Sequence, residues 1–219
     1  MAVRDRWTLL WIALGSLATA LFGHFRWGSD WFEVSAFVTA AVSIYLLAKE
    51  ELWGWPIGIV SSGIYVWVFY AGGLPADMCL NIFYVGMLVH GWWYWKRGER
   101  PEGHLLIRNL NANGWVWVVV ATAASTAIHY PLVSWAKGKA VFWDSSLASG
   151  SYVAQFLQNT KYLQNWHIWV AINLMYVPLY ISRSFYLTAV LFVVLAGLAV
   201  LGQNEWVRSV SLRQAKLDT

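Results

Sequence analysis

Five aromatic and amide side chains recur at intervals of three and four residues in one stretch of the chain. They are Trp166, Trp169, Asn173, Tyr176 and Tyr180. On an α-helix this spacing places all five on one face. The amide can hydrogen-bond a carboxamide or sugar hydroxyls, and the rings can stack on a flat heterocycle or hold a cation. The face therefore predicts a binding surface for a flat ligand that is neutral or cationic. The alternative is packing between helices, with Trp166 and Tyr180 at the membrane interfaces.

Three other stretches carry side chains of the same kind at helical spacing. The candidate binding residues among them are Trp55, Ser62, Tyr65, Asn81, Tyr84, Gln155 and Gln158. Neutral amides and hydroxyls can bind a polar ligand without the cost of a buried charge. For each of these residues, hydrogen bonding between packed helices is an equally good explanation.

The composition shows what kind of element must position these residues. Of the 219 residues, 59% are hydrophobic, 12% are charged and 17 are tryptophan. The charged share is about half that of a soluble domain, and disorder requires many charges and few apolar residues. Because Cys79 is the only cysteine, an intramolecular disulfide is impossible. The chain is therefore predicted to be an integral membrane protein surrounded by the lipid bilayer.

Eight apolar runs have the length that a helix needs to cross a bilayer, about 17–25 residues. They cover residues 7–23, 31–49, 55–71, 76–96, 113–134, 142–159, 166–182 and 184–206. The predicted fold is thus all-α, with consecutive helices as antiparallel neighbours where the connections are short. Arg4 and Arg6 before the first run, with Ala18-Thr19-Ala20 within it, also fit a cleaved signal peptide, so retention of the first helix stays open.

Lysine and arginine are divided unevenly between alternate loops. If the N-terminus is inside, the inner segments carry eleven of the fifteen, and the outer segments carry Arg26, Lys137, Lys139 and Arg183. Basic residues favour the cytoplasmic side of a membrane. We therefore predict that both termini are cytoplasmic, and the net charge of +4 needs no nucleic-acid partner to explain it.

The chain also contains an internal repeat. A shift of 111 residues lays 31–95 over 142–206 without a gap and aligns Glu33 with Asp144, Trp55 with Trp166, Tyr65 with Tyr176, Gly91 with Gly202 and Trp95 with Trp206. This predicts two parallel three-helix repeats, 31–96 and 136–206, connected by a cytoplasmic loop and a linker helix in 97–135. An extra N-terminal helix in 1–30 and a cytoplasmic tail in 207–219 complete a 3+1+3 plan like that of SWEET transporters.

Two groups of residues have structural explanations at the membrane surface. Asp30, Glu33, Asp77 and Asp144 begin helices at the predicted outer side, where acids cap free N–H groups; they could also line a vestibule that attracts cations. Several tryptophans are expected in the interfacial belt. These are Trp7, Trp11, Trp27, Trp31, Trp92, Trp93, Trp95 and Trp206.

Catalytic groupings are not evident in the chain. It has no nucleotide-binding loop and no zinc-type His/Glu spacing, and Cys79 has no evident partner for nucleophilic catalysis. We therefore predict no metal, no cofactor and no enzymatic activity. The competing class, an intramembrane enzyme or assembly protein, would need a cluster of acids, histidines or metal ligands.

Several short motifs resemble the PnuC family of bacterial nicotinamide riboside transporters over roughly residues 31–206. They are Trp55-Pro56-Ile57-Gly58, Asn81 to Tyr84, Gly91-Trp92-Trp93-Tyr94-Trp95, Phe142-Trp143-Asp144, Val153-Ala154-Gln155, Lys161-Tyr162-Leu163, Asn165-Trp166, Trp169, Asn173, Leu179-Tyr180, Tyr186-Leu187-Thr188-Ala189 and Gly202 to Trp206. The sequence departs from the family at Leu88, where many members have Gln, and at Gly54, where many have Asn.

The resemblance implies a transporter of an unphosphorylated vitamin, usually a homotrimer, in the bacterial inner membrane. Substrate would pass down its gradient by alternating access, and a separate cytoplasmic kinase would trap it. The ligand residues that the resemblance implies are Gln155, Trp166, Trp169, Asn173, Asn81, Tyr84 and Tyr180. Nicotinamide riboside is the first expected substrate, and thiamine or another flat vitamin such as riboflavin is the alternative.

Overall fold

The computed structural model describes residues 3–98, 106–135 and 141–217, and eight α-helices make up most of these ranges. They are α1 (Val3–Trp27), α2 (Trp31–Ala48), α3 (Gly54–Ala71), α4 (Pro75–Arg97), α5 (Ala112–Trp135), α6 (Val141–Asn159), α7 (Asn165–Ser182) and α8 (Tyr186–Leu217). Each coincides with one predicted span, so the all-α prediction is confirmed. Arg100, Lys137 and Lys139, which entered the orientation prediction, lie outside the described residues.

Five of the helices, α1, α2, α3, α5 and α8, are long and apolar enough to cross a membrane. The other three, α4, α6 and α7, carry all four predicted amide ligands, Asn81, Gln155, Gln158 and Asn173, which lower their apolar character. Helix α8 continues to Leu217, through most of the residues predicted as a tail.

Local sequence signals set the helix ends. The Asp30 carboxylate caps α2 by accepting from the backbone N–H groups of Phe32 and Glu33. Pro75 begins α4, where its missing N–H costs nothing. Gly28 follows α1 with a φ of 72°, a left-handed conformation that glycine adopts without strain.

Six helices close into a ring. Around it, α2 packs on α3, α3 on α4, α4 on α6, α6 on α7, α7 on α8, and α8 returns to α2. Helix α1 lies outside the ring against α2, and α5 lies outside it against α6. The contacts α4–α6 and α2–α8 are the two junctions between the segments related by the 111-residue shift.

The connecting turns repeat at the same shift. Glu50 and Lys161 are 111 residues apart and have φ values of 58° and 57°. Gly73 and Ser184, also 111 apart, have φ values of 66° and 62°. Two turns with the same backbone geometry support a common origin of the two halves, because a residue other than glycine rarely adopts a positive φ.

Two tryptophans correct the predicted interfacial belt. Trp95 and Trp206 are 3% and 0% exposed, whereas Trp7 and Trp11 of the belt are 61% and 70% exposed. Trp95 makes an edge-to-face contact with Trp55, with ring centroids 5.1 Å apart, and Trp206 does so with Trp166 at 5.3 Å. The two buried indoles therefore belong to a core between helices and not to the membrane surface.

Candidate binding cavity

A cavity lies at the centre of the six-helix ring, and all six helices line it. With the open space at its mouth included, its volume is about 910 Å³. Its lining contains no Asp, Glu, Lys, Arg or His among the described residues. Nor do three His, Cys, Asp or Glu side chains converge as metal ligands would, in the part of the chain that the structure describes.

Ten of the twelve residues predicted to bind a ligand line this one cavity. They are Ser62, Tyr65, Asn81, Tyr84, Gln155, Trp166, Trp169, Asn173, Tyr176 and Tyr180. Tertiary packing brings them together from α3, α4, α6 and α7. The aromatic members contact one another: Tyr176 stacks on Tyr180 with ring centroids 5.7 Å apart, and Tyr84 lies 6.2 Å from Trp169.

The other two predicted residues lie behind the wall. Gln158 is fully buried, and its Oε1 accepts a hydrogen bond of 3.2 Å from Trp169 Nε1. Gln158 therefore orients a cavity residue without lining the cavity itself. Trp55 is also fully buried and packs against Trp95 and Gly91, where a Cβ would overlap its ring.

Several polar atoms of the cavity are available to a ligand. Tyr65 Oη and Trp166 Nε1 are buried and have no hydrogen-bond partner within the described residues. The Asn173 side chain is 3% exposed and makes no hydrogen bond with any described residue. Gln155 donates to Asn159 Oδ1 at 2.9 Å, which holds its amide in place and leaves its carbonyl free to accept. A buried polar group without a partner costs stability, so these atoms are suited to bind a polar ligand.

Sequence reasoning missed thirteen further lining residues. They are Ala40, Ser43, Ile44, Gly58, Ser61, Phe69, Leu80, Leu88, Thr188, Leu191, Phe192, Leu195 and Ala199. Five of them could have been found from the repeat, because each lies 111 positions from a predicted binding residue: Ile44, Gly58, Phe69, Phe192 and Leu195. In all, nine pairs of lining residues are 111 positions apart, for example Asn81 with Phe192 and Tyr84 with Leu195. The cavity thus lies between the two halves, and each half contributes equivalent positions.

The equivalent positions differ in polarity. Under the 111-residue shift, Gln155 corresponds to Ile44, Trp169 to Gly58, and Asn81 to Phe192. The wall formed by α4, α6 and α7 is therefore rich in amides and large aromatic rings, and the wall formed by α2, α3 and α8 is mainly apolar with hydroxyls. Such a cavity suits a ligand that has one polar edge.

An ion-pair cluster connects the two halves at each end of the ring. At one end, Arg183 contacts Asp77 at 2.9 Å and Asp144 at 2.6 Å, and Tyr180 donates to Asp77 at 2.7 Å. Burial disfavours the charged guanidinium, but the two carboxylates outweigh it and hold the pKa of Arg183 above its ordinary value.

At the other end, Lys161 contacts Glu50 at 2.5 Å, and Arg213 and Ser209 also hydrogen-bond the Glu50 carboxylate. Burial raises the pKa of this carboxyl, but the Lys161 charge and its hydrogen bond outweigh burial and lower the pKa below the ordinary value. Lys161 also lies over the Trp95 ring, 4.2 Å from the centroid.

The outer surface of the helices is apolar, with Trp11 and Trp117 each 70% exposed. A bundle with such a surface, enclosing an uncharged cavity of aromatic and amide side chains, has the features of a membrane transporter for a small molecule. A family model described as nicotinamide mononucleotide transporter matches residues 30–208. The chain belongs to this family.

Curated relatives share the length of the chain at low identity. The nicotinamide riboside transporter PnuC of Escherichia coli (strain K12) is 25% identical over 213 residues, which cover 85% of this chain and 89% of the relative. The riboflavin/roseoflavin transporter RibM of Streptomyces davaonensis is 24% identical over 203 residues, covering 88% and 91%.

A solved structure has the same fold. The crystal structure of the vitamin B3 transporter PnuC superposes with a TM-score of 0.80, at 22% identity, and the match covers 96% of this chain and 93% of that one. Together with the family, this confirms the resemblance inferred from the motifs. The chain is a multi-pass membrane transporter and not an enzyme.

Proposed function

We propose that this protein carries nicotinamide riboside across a bacterial inner membrane by facilitated diffusion. The observation that carries the proposal is the uncharged cavity lined by aromatic rings and amides. The riboside has a flat cationic pyridinium, a carboxamide and a ribose, and each has a chemical counterpart among the lining side chains.

The lack of basic side chains favours the riboside over its mononucleotide. A phosphate brings a charge of about −1.5 to −2 at pH 7, and burying it requires cations or several donors. The described lining residues include no Lys, Arg or His. An uncharged wall is compatible with a nucleoside and leaves a phosphate unpaired.

The proposed ligand contacts follow from the polarity of the walls. Trp166 or Trp169 stacks on the pyridinium, while Asn173 and Gln155 bind the carboxamide and ribose. Asn81, Tyr84, Ser62, Tyr65, Tyr176 and Tyr180 complete the proposed site. Gln158 acts by orienting Trp169.

The transport cycle that we propose is alternating access by rocking of the two repeats, with a separate cytoplasmic kinase that traps the product. The 3+1+3 division is supported by the equivalent turns and by the nine equivalent pairs of lining residues. Both termini are proposed to lie in the cytoplasm, which the excess of Lys and Arg in the predicted inner loops supports. A homotrimer is the proposed assembly, and mass measurement of the protein in lipid nanodiscs tests it.

The second candidate substrate is a flat vitamin other than nicotinamide riboside, namely thiamine or riboflavin. Its support is the similarity to a riboflavin/roseoflavin transporter, whose identity and coverage nearly equal those of the Escherichia coli relative.

Tryptophan-fluorescence titration of the purified protein separates the candidates. The ligands are nicotinamide riboside, its mononucleotide, thiamine and riboflavin, and quenching by the riboside alone is the expected result. Quenching by riboflavin or thiamine without the riboside would overturn the proposed substrate.

Substitution of Asn173 by Leu tests the site. Asn173→Leu should abolish uptake into proteoliposomes while the protein still purifies. Gln203→Leu is the matched control, because this α8 amide does not line the cavity. Normal uptake by Asn173→Leu would assign Asn173 to helix packing.

A further inference from the structure

A buried glutamate lies directly behind the apolar wall of the cavity. Glu33 is 7% exposed, and its Oε1 accepts hydrogen bonds from the Thr188 backbone N–H at 3.1 Å and from its hydroxyl at 2.7 Å. Thr188 lines the cavity. The Thr188 side chain therefore lies between the Glu33 carboxylate and the cavity.

The carboxylate also acts on the tyrosine beside it. Glu33 interacts electrostatically with Tyr65, which lines the cavity. The Tyr65 hydroxyl is buried. Glu33 is thus close to two residues that line the cavity, Thr188 and Tyr65.

The repeat shows that this charge differs from its counterpart. Position 144, the equivalent of 33, carries an aspartate that Arg183 contacts at 2.6 Å. The equivalent of Arg183 is Gly72, which has no side chain that could pair with Glu33. Among the described residues, Glu33 therefore has neutral donors only.

We propose that Glu33 makes the cavity selective for a positively charged ring, so that an organic monocation binds in preference to a neutral molecule of the same shape. The inference rests on the proposed function, since it concerns the same cavity. A cation that enters the membrane interior loses hydration, and a nearby carboxylate offsets that loss. The N-terminus of α8 also stabilises the Glu33 carboxylate, which moderates the effect on the ligand.

The test compares two forms of one ligand. Nicotinamide riboside is a cation, and its 1,4-dihydro form is neutral with nearly the same shape. Glu33→Gln keeps an oxygen that accepts from Thr188 and removes only the charge. We expect it to weaken binding of the cation about tenfold, equal to ~1.4 kcal/mol, and to change binding of the neutral form less than about twofold.

Two control variants separate this effect from others. Glu33→Asp keeps the charge and should retain the preference for the cation. Asp30→Asn removes an equal charge one turn away and keeps the helix cap, so it should leave both affinities unchanged.

An equal loss for both ligand forms in Glu33→Gln would overturn the inference and leave Glu33 as a cap of α8. Equal binding of both forms by the wild-type protein would overturn it without any variant. If the wild type binds thiamine, also a cation, and not the riboside, the proposed substrate fails, and weaker thiamine binding by Glu33→Gln still supports the inference. Binding of neutral riboflavin alone would overturn both.

Discussion

The buried ion pair between Glu50 and Lys161 connects the two halves of the ring, and its removal should destabilise the protein strongly. The two side chains are 9% and 1% exposed, and Nζ lies 2.5 Å from Oε2. Loss of one partner from such a pair leaves an unpaired buried charge, which costs about 3–5 kcal/mol. The loss of stability in Lys161→Met should lie at the lower end of this range, because Arg213 and Ser209 still contact the Glu50 carboxylate.

The expected change is measurable by thermal denaturation in detergent. For a chain of this length, 3 kcal/mol corresponds to a fall in Tm of about 6–12 °C. The double variant Glu50→Gln with Lys161→Met removes both charges and should regain most of the loss, since a neutral replacement of a buried pair is often tolerated.

Arg213→Ala is the matched control. Its side chain is 29% exposed, and partly exposed ion pairs contribute about 0–1 kcal/mol. If Lys161→Met melted within ~2 °C of the wild type, or if the double variant were no more stable than Lys161→Met, the assignment of this pair to inter-repeat stability would be wrong.

Three further predictions concern packing, the asymmetry of the tryptophans and pH. Gly202→Ala should destabilise the protein by about 1–3 kcal/mol and weaken ligand binding, because its Cβ would overlap the Trp166 ring. Gly197→Ala on the same helix is the control, since its Cβ would meet no atom within 4 Å. Equal melting temperatures of the two variants would contradict this prediction. Trp166→Phe should weaken ligand binding in a fluorescence or calorimetric titration, and Trp55→Phe should not, because only the former lines the cavity; equal effects would assign both indoles to packing. The Glu50 carboxyl has a pKa below its ordinary value of 4.5, so its charged form stabilises the fold above pH 4.5 and this contribution is lost as pH falls through the lower folded pKa. The Tm difference between wild type and Glu50→Gln should therefore shrink as the pH is lowered from 4.5, and a difference that stayed constant would refute the pKa assignment.

The helices and the repeat could be predicted from sequence because both depend on local or periodic properties. Apolar runs of sufficient length predict spans, and Asp30 and Pro75 mark where two of them begin. Helical spacing also identified the face of Asn173, because residues three and four apart share a face whatever surrounds them.

Only the tertiary structure decides what each helix face contacts: the cavity, another helix or lipid. Trp55 and Trp166 occupy equivalent positions in two similar helices, yet only Trp166 lines the cavity. Trp95 and Trp206 have the sequence character of interfacial residues and are buried between helices. In helices that are apolar on most sides, the pattern of the sequence does not distinguish a face toward lipid from one toward another helix, so packing alone makes the distinction. The position of Glu33 behind Thr188, 155 residues along the chain, arises from the same packing.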